Sequence, residues 1–358
     1  MNDGYLNIDV YKKRALDKLA LKKEPERTYP ITKRDLIKVY QCPLCKYGDL
    51  IVLTEVYLKS RLNFFQTSAC PKCLFTFRTI SPSLSWFKKC WAKIYDHKKL
   101  EVFSPDTEEI RKRRYQIYFD MFLKYAKPGK LLDIGAGYGT GSNLFKTHGF
   151  QVQAVEPEIS KIAYIKKFFG IQVVAQSIQK FISKKNNYDF VVFAQCLEHI
   201  DRPDYVMKHL KNIMQPNGLL YAELPIIWNY VNWNDAFYLP HKSNFSEENF
   251  INLVHESGFK IMKKFYVEQH LKTWDLGVLL KISQKNNKTP LKNNGNIKTL
   301  RDILALYRKD LPIKWSDNNS ILKYNVFNIE QFFQILDLRT KKMIKPKSID
   351  DFIEFKNI

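Results

Sequence analysis

Leu131-Leu132-Asp133-Ile134-Gly135-Ala136-Gly137-Tyr138-Gly139-Thr140-Gly141 is the stretch that decides the fold. An apolar run enters a cluster of four glycines, and a helix-like pattern follows. A first parallel strand delivers a nucleotide-like cofactor to such a turn, where no side chain stands in the way. A second strand with an acidic end, Val152-Gln153-Ala154-Val155-Glu156, arrives shortly after. The two together predict a site for an adenosine-containing cofactor.

Outward from this pair the chain alternates strand and helix. Strands are predicted at 131–134, 151–156, 171–175, 189–195 and 218–224, with Gly149, Gly170 and Gly218 placed as helix stops. This alternation means βαβ units and a parallel sheet. Ser246-Glu247-Glu248 opens a further helix with a cap residue and first-turn acids, ending near Gly258. Two last strands, near 260–267 and 276–283, are close enough to pair antiparallel. The expected fold is α/β: a Rossmann-like, seven-stranded, mostly parallel sheet with an antiparallel last strand. An N-terminal four-cysteine zinc ribbon and a small helical C-terminal appendage complete it.

The expected organisation is a basic extension over 1–40, a zinc ribbon over 41–80 and an aromatic-rich helical connector over 81–129. The cofactor-binding domain follows over 130–284, and a linker with a helical appendage over 285–358, around Ile303-Leu304 and Phe332-Phe333. The net charge of +22 comes from 58 basic and 36 acidic residues. Residues 1–130 carry +13, residues 131–230 only +2 and residues 231–358 +7, so the excess flanks a nearly neutral cofactor region. Such flanks attract phosphorylated ligands, nucleic acid or a membrane surface, or are solvated lysine faces. No apolar run approaches the ~20 residues of a bilayer span, and Met1-Asn2-Asp3-Gly4 opens no secretory signal. A cytoplasmic, reducing compartment is the expectation.

Cys42-Pro43-Leu44-Cys45 and Cys70-Pro71-Lys72-Cys73 are two Cys-x-x-Cys pairs separated by 24 residues. Each makes a tight knuckle aiming two thiolates at one metal, and two knuckles close a tetrahedral four-thiolate site for structural Zn²⁺. Proline in both pairs favours rigid knuckles over a redox disulfide. Cys196, after a buried-looking strand, reads as a core thiol.

A dinucleotide fingerprint requires Gly-x-Gly-x-x-Gly. Here the run is Gly135-x-Gly137-x-Gly139, preceded by Leu-Asp-Ile. In this form it resembles the class I S-adenosylmethionine-dependent methyltransferases. Leu197-Glu198-His199-Ile200 after the fourth strand, and Pro216-Asn217-Gly218-Leu219-Leu220 into the fifth, match the same group. The resemblance covers residues 130–283. It implies S-adenosylmethionine as cofactor, with Gly135, Ala136, Gly137 and Gly139 passing its methionine moiety. Asp133 would orient the loop and face the amino group; the forked, acceptor-only carboxylate of Glu156 suits a grip on two ribose hydroxyls, and Pro157 would stand beside the cofactor. Gln176 and Ser177 would stand at the adenine, where an Asp is more usual, and Gln195 beside the cofactor. Upstream, the Cys pairs followed by Ser81-Pro82-Ser83 and an aromatic helix look like the zinc ribbon of bacterial methyltransferases of sugar and polysaccharide biosynthesis.

Methyl transfer from a sulfonium is an in-line displacement that aligns the acceptor and, for a hydroxyl or carbon acid, removes its proton. Two histidines stand at the carboxyl ends of the central strands: His199 after the fourth, and His241 in Phe237-Tyr238-Leu239-Pro240-His241-Lys242-Ser243-Asn244-Phe245-Ser246. The latter loop resembles a segment of sugar methyltransferases whose His and Tyr line the acceptor site, which implies catalytic roles for His241 and Tyr238. In that family an acid often precedes the His; Pro240 stands there here. Trp228, Tyr230, Trp233, Phe237 and Tyr238 read as an aromatic lid over a ring-shaped acceptor or as core packing under a long loop. Some O-methyltransferases hold Mg²⁺ with Glu-x-x-Glu-His, whereas this chain has Gln195-x-x-Glu198-His199, and a neutral Gln suits a hard cation poorly. The expected acceptor is a small molecule, a sugar or glycan precursor. RNA, held by the basic N-terminal region and the ribbon, is the alternative.

Overall fold

The computed structural model describes residues 31–58, 61–87, 89, 112–183 apart from 118, 121, 122 and 126, and 186–226, 241–268, 274–283, 322–326 and 354–355. Two sheets organise them. The larger body is built on β5 (Lys130–Ile134), β6 (Gln151–Val155), β7 (Gln172–Ala175), β8 (Tyr188–Ala194), β9 (Met214–Pro225), β11 (Phe259–Glu268) and β12 (Trp274–Ile282). These seven strands form one sheet in the spatial order β11-β12-β9-β8-β5-β6-β7. β5 through β9 run parallel, and β12 lies antiparallel to both β9 and β11. This is the architecture the sequence predicts.

The central strands are short apolar runs because both faces of the sheet are covered. Leu131 through Ile134 are all buried, as are Phe190 through Phe193. The crossover helices are α1 (Thr140–Thr147), α2 (Ile159–Tyr164), α3 (Ile178–Phe181) and α4 (Pro203–Leu210), and α5 (Glu247–Glu256) precedes the final hairpin. Ser246 caps α5 as predicted, its hydroxyl accepting the Asn249 amide at 3.1 Å. Gly149 and Gly170 do close helical segments at positive φ. Gly218 does not: it lies inside β9, where a Cβ would stand 3.0 Å from the Gln215 carbonyl of the same strand, 3.1 Å from the Tyr188 carbonyl and 3.2 Å from that of Asp189. Backbone carbonyls of β9 itself and of β8 crowd the position and favour glycine there.

The second sheet contains β1 (Leu36–Lys38), β2 (Ile51–Leu58), β3 (Asn63–Ala69), β4 (Thr76–Pro82) and β10 (Ser243–Asn244), with β13 (Leu322–Val326) and β14 (Glu354–Phe355) at its far side. Two features differ from expectation, and one expectation is untested. β1, placed by sequence in the N-terminal extension, pairs with β4 and belongs to this sheet. The expected C-terminal helices lie outside the described residues, and the described part of that region is strand. Most consequentially, β10 comes from the chain that returns after β9, yet it pairs with β4 through Ser243↔Phe77 and Asn244↔Thr76.

One apolar core therefore runs through both bodies. Cys42, Cys70, Cys73, Phe75 and Phe77 of the ribbon pack in the same cluster as Ile200, Leu210, Phe245 and Phe250. Phe75 stacks against Phe77 at 5.5 Å and meets Phe245 at 4.9 Å between ring centroids.

Candidate active site

The strand order reverses direction at β5, which has β6 on one side and β8 on the other. Ligands bind at such switch points, beyond the carboxyl ends of the strands. The glycine loop stands there. Gly135, Gly137 and Gly139 all have positive φ (76°, 59° and 81°), a region that a side chain disfavours. The loop is anchored by Gly135 N–H and Ala136 N–H donating to the Val155 carbonyl at 2.8 and 3.3 Å. A Cβ on Gly135 would lie 1.9 Å from Cys196 Sγ, so the thiol that the sequence placed in the core fills the space this glycine leaves.

Asp133 sits beneath the loop, buried, and accepts the Ser142 hydroxyl at 2.6 Å. Burial pushes its carboxyl up to about 6, against the pull of that hydrogen bond. Glu156 is also buried. Its carboxylate accepts Gly137 N–H at 2.9 Å and Glu158 N–H at 3.0 Å, one bond per oxygen. Burial raises its pKa, while Lys161 and the two amides oppose the rise. Each oxygen keeps a second lone-pair direction for a hydroxyl donor. Pro157 is half-buried, Gln176 is exposed at the end of β7, and Ser177 is half-buried with its hydroxyl on Gln179 at 3.0 Å.

Gln195 follows β8 with φ at 55°. Its amide donates to Asp275 Oδ2 at 2.7 Å and Glu223 Oε1 at 3.2 Å. Arg114 donates to the same two carboxylates, and Tyr221 donates to Glu223. Two fully buried acids at the ends of β9 and β12 are thus held by one guanidinium, an amide and a phenol. The sequence carried no local signal for this cluster, whose members come from distant segments.

Beyond Gln195 a 3₁₀ turn (Leu197–His199) presents Glu198 and His199. Glu198 is 1% exposed, its pKa pushed up to about 8 by burial. Its Oε1 lies 3.8 Å from His199 Nε2, and its Oε2 has no hydrogen-bond partner among the described residues. The His199 and His241 rings meet edge-on, 4.8 Å between centroids. Donor atoms of Glu198, His199 and His241 all lie within 4.8 Å of one another. The structure thus brings together the two histidines that the sequence placed separately, and adds Glu198 as the carboxylate beside them. Tyr238 and the aromatic lid residues lie outside the described residues.

The four cysteines converge as predicted. Both knuckles share one hydrogen-bond pattern. Cys42 N–H donates to Tyr47 O and Lys46 N–H returns to Cys42 O, while Cys70 N–H donates to Phe75 O and Leu74 N–H returns to Cys70 O. Lys46 and Leu74, the residues that close the turns, both adopt positive φ. Cys42 and Cys73 Sγ are 3.5 Å apart, and Cys45 and Cys70 Sγ 3.4 Å, too far for disulfides. A tetrahedron with ~2.3 Å metal–sulfur bonds has edges of ~3.8 Å, so the sulfur set fits one Zn²⁺ closely.

Residues 108–264 match the family model of a methyltransferase domain. No curated protein matches the sequence. Among solved structures, a Burkholderia thailandensis 1,6-didemethyltoxoflavin-N1-methyltransferase with bound S-adenosylhomocysteine is 16% identical, with 59% of this chain and 96% of that chain covered and a TM-score of 0.46. A Pyrococcus horikoshii protein is 14% identical (53% and 99% covered, TM-score 0.45), and an Archaeoglobus fulgidus S-adenosylmethionine-dependent methyltransferase 18% (49% and 94%, TM-score 0.42). The family match, the seven-stranded sheet and the glycine loop at its switch point together give residues 108–264 the character of a methyltransferase domain.

Proposed function

We propose that the enzyme methylates a small-molecule acceptor, a sugar or glycan precursor of the kind used in surface polysaccharide assembly, with His241 as general base. The observation that carries this reading is the His199–His241 pair against buried Glu198, a few residues past the Cys196 that abuts the glycine loop. A base placed there takes the acceptor proton as the methyl group passes in line from sulfonium to acceptor, leaving S-adenosylhomocysteine and the methylated product. His199 and Glu198 orient and share the charge that His241 gains. Tyr238 joins the acceptor side on its resemblance to the sugar-enzyme segment. Asp133, the glycine loop and Glu156 hold the cofactor, with Pro157, Gln176, Ser177 and Gln195 around it. Zn²⁺ on Cys42, Cys45, Cys70 and Cys73 is structural, because four thiolates leave no open position.

The test is calorimetric titration with S-adenosylmethionine, followed by a screen of nucleotide sugars and bulk RNA for S-adenosylhomocysteine release. His241→Ala lowers turnover about 10²–10⁴-fold at unchanged cofactor affinity if it is the base. Unchanged turnover removes that assignment, and release with RNA alone replaces the acceptor class.

A second reading is favoured by the convergence of Glu198, His199 and His241 donors. A divalent cation held there would polarise the acceptor oxygen in place of proton removal. Full turnover by protein containing one metal per chain, held by the cysteines, rules it out.

A further inference from the structure

His241 is followed by a residue tethered through both backbone and side chain. Lys242 N–H donates to the Glu198 carbonyl at 2.6 Å, and the Lys242 carbonyl accepts Arg78 N–H at 2.8 Å. Its backbone thus bridges the turn after β8 on one side and ribbon strand β4 on the other. The next two residues form β10 on β4. Along the same segment, Asn249 donates its side-chain amide to the Cys73 carbonyl at 2.7 Å.

The side chain of Lys242 is equally committed. It is 6% exposed, and its ammonium is buried in the ribbon. Nζ donates to Ser81 Oγ at 2.7 Å and to the Pro82 carbonyl at 2.5 Å, lies 3.7 Å from Asp201 Oδ1, and sits 5.1 Å from the Phe87 ring centroid. Burial lowers its pKa to about 8 despite Asp201. A buried lysine is costly unless its donors are satisfied. Here its hydrogen-bond and charge partners come from two places: the end of β4, and the turn that carries Glu198 and His199.

We infer that Lys242 is a positioning residue that pins His241 to the ribbon, so that the four-cysteine module serves the methyl transfer by holding the base in register with Glu198 and His199. This inference rests on the proposed role of His241 as base. The backbone at 242 is fixed from both sides, and the ammonium lies between the end of β4 and Asp201, so the residue next to that imidazole has little room to shift. The ribbon is then a part of the active site at one remove, reaching it through a strand pairing rather than through substrate.

The test uses full-length, zinc-loaded protein with S-adenosylhomocysteine as the probe, and needs no acceptor. Histidine imidazole resonances are followed by NMR in Lys242→Met, in Ser81→Ala, and in the double variant, with calorimetric cofactor affinity measured on each. Lys242→Met is expected to shift or broaden the His241 and His199 signals, with cofactor affinity within about twofold. Ser81→Ala, which removes one acceptor of the Lys242 ammonium, is expected to move the same signals less, and to add nothing in the Lys242→Met background. Should Lys242→Met not fold, the Ser81→Ala shift alone decides. The inference is overturned if His241 signals of a folded Lys242→Met coincide with wild type, or if Ser81→Ala leaves them in place. It also fails if the two substitutions act additively. A failure of the base assignment shows separately, as unchanged turnover in His241→Ala.

Discussion

Gly135 offers a direct measure of how the cofactor loop is built. Replacing it by alanine introduces two penalties. The backbone has φ of 76°, which costs a non-glycine residue ~1–2 kcal/mol. The new Cβ would also stand 1.9 Å from Cys196 Sγ, where carbon contacts normally begin at ~3.5 Å. Relief requires the thiol or the loop to move, at ~1–3 kcal/mol for overpacking in a filled core. Gly135→Ala should therefore destabilise the apo protein by about 2–5 kcal/mol in urea unfolding. The discriminating experiment is a cycle with Cys196→Ala. Cys196 Cβ is 3.4 Å from where the new Cβ would stand, so losing the sulfur removes the clash and leaves only the backbone cost. Gly135→Ala should then cost about 1–2 kcal/mol in the Cys196→Ala background, a coupling of about 1–3 kcal/mol. Cofactor affinity should fall at least about tenfold in the single variant and recover in part in the double. Equal cost of Gly135→Ala in both backgrounds would refute the argument, because the thiol would then not be what demands glycine.

Asp133, held near 6 by burial, should make cofactor binding pH-dependent. The cofactor ammonium favours the ionised carboxylate, so affinity rises with pH by up to about tenfold per unit below 6 and levels off above it, and Asp133→Asn flattens that profile. In the apo protein the folded chain holds this proton more tightly than the unfolded chain. Its contribution to stability is thus full below about 4 and declines by about 3 kcal/mol as pH rises through 6, read as wild type minus Asp133→Asn. Arg114→Met leaves buried Glu223 and Asp275 without their guanidinium and should cost about 3–5 kcal/mol, part of which Asp275→Asn restores; a neutral result in denaturant titration would contradict the cluster's role. If the four cysteines hold Zn²⁺ as proposed, stripping it should raise amide hydrogen exchange in β4 and in residues 243–244 together, and exchange confined to the knuckles would contradict their coupling.

Much of this was legible in the sequence because it is local. The glycine loop, the acidic end of β6 and the two Cys-x-x-Cys knuckles each spend only a few consecutive residues, and their chemistry demands those residue types. The strand and helix alternation followed from apolar runs bounded by glycine. What escaped is what depends on distant partners. A two-residue strand such as β10 has no periodicity to read, and its partners Thr76 and Phe77 lie far upstream. Glu198 stood in plain view in a family-like run, but its burial beside two histidines needed the fold. Gly218 read as a helix stop, whereas the carbonyls of Gln215, Tyr188 and Asp189 that crowd it come together only once β9 lies beside β8. Arg114, Glu223 and Asp275 look like ordinary surface charges until β9 and β12 bring their ends together.

The β10–β4 pairing also has a consequence for how the chain is made. During synthesis the ribbon emerges early, with knuckles ready to take metal, but the edge of β4 at Thr76–Phe77 stays open until Ser243–Asn244 arrive. Lys242 and Ser81 are 161 residues apart in sequence. A contact that remote forms late and slowly, since the intervening loop must be ordered first. The nascent ribbon therefore waits with an exposed strand edge, and the same stretch of chain that covers this edge brings His241 beside Glu198 and His199.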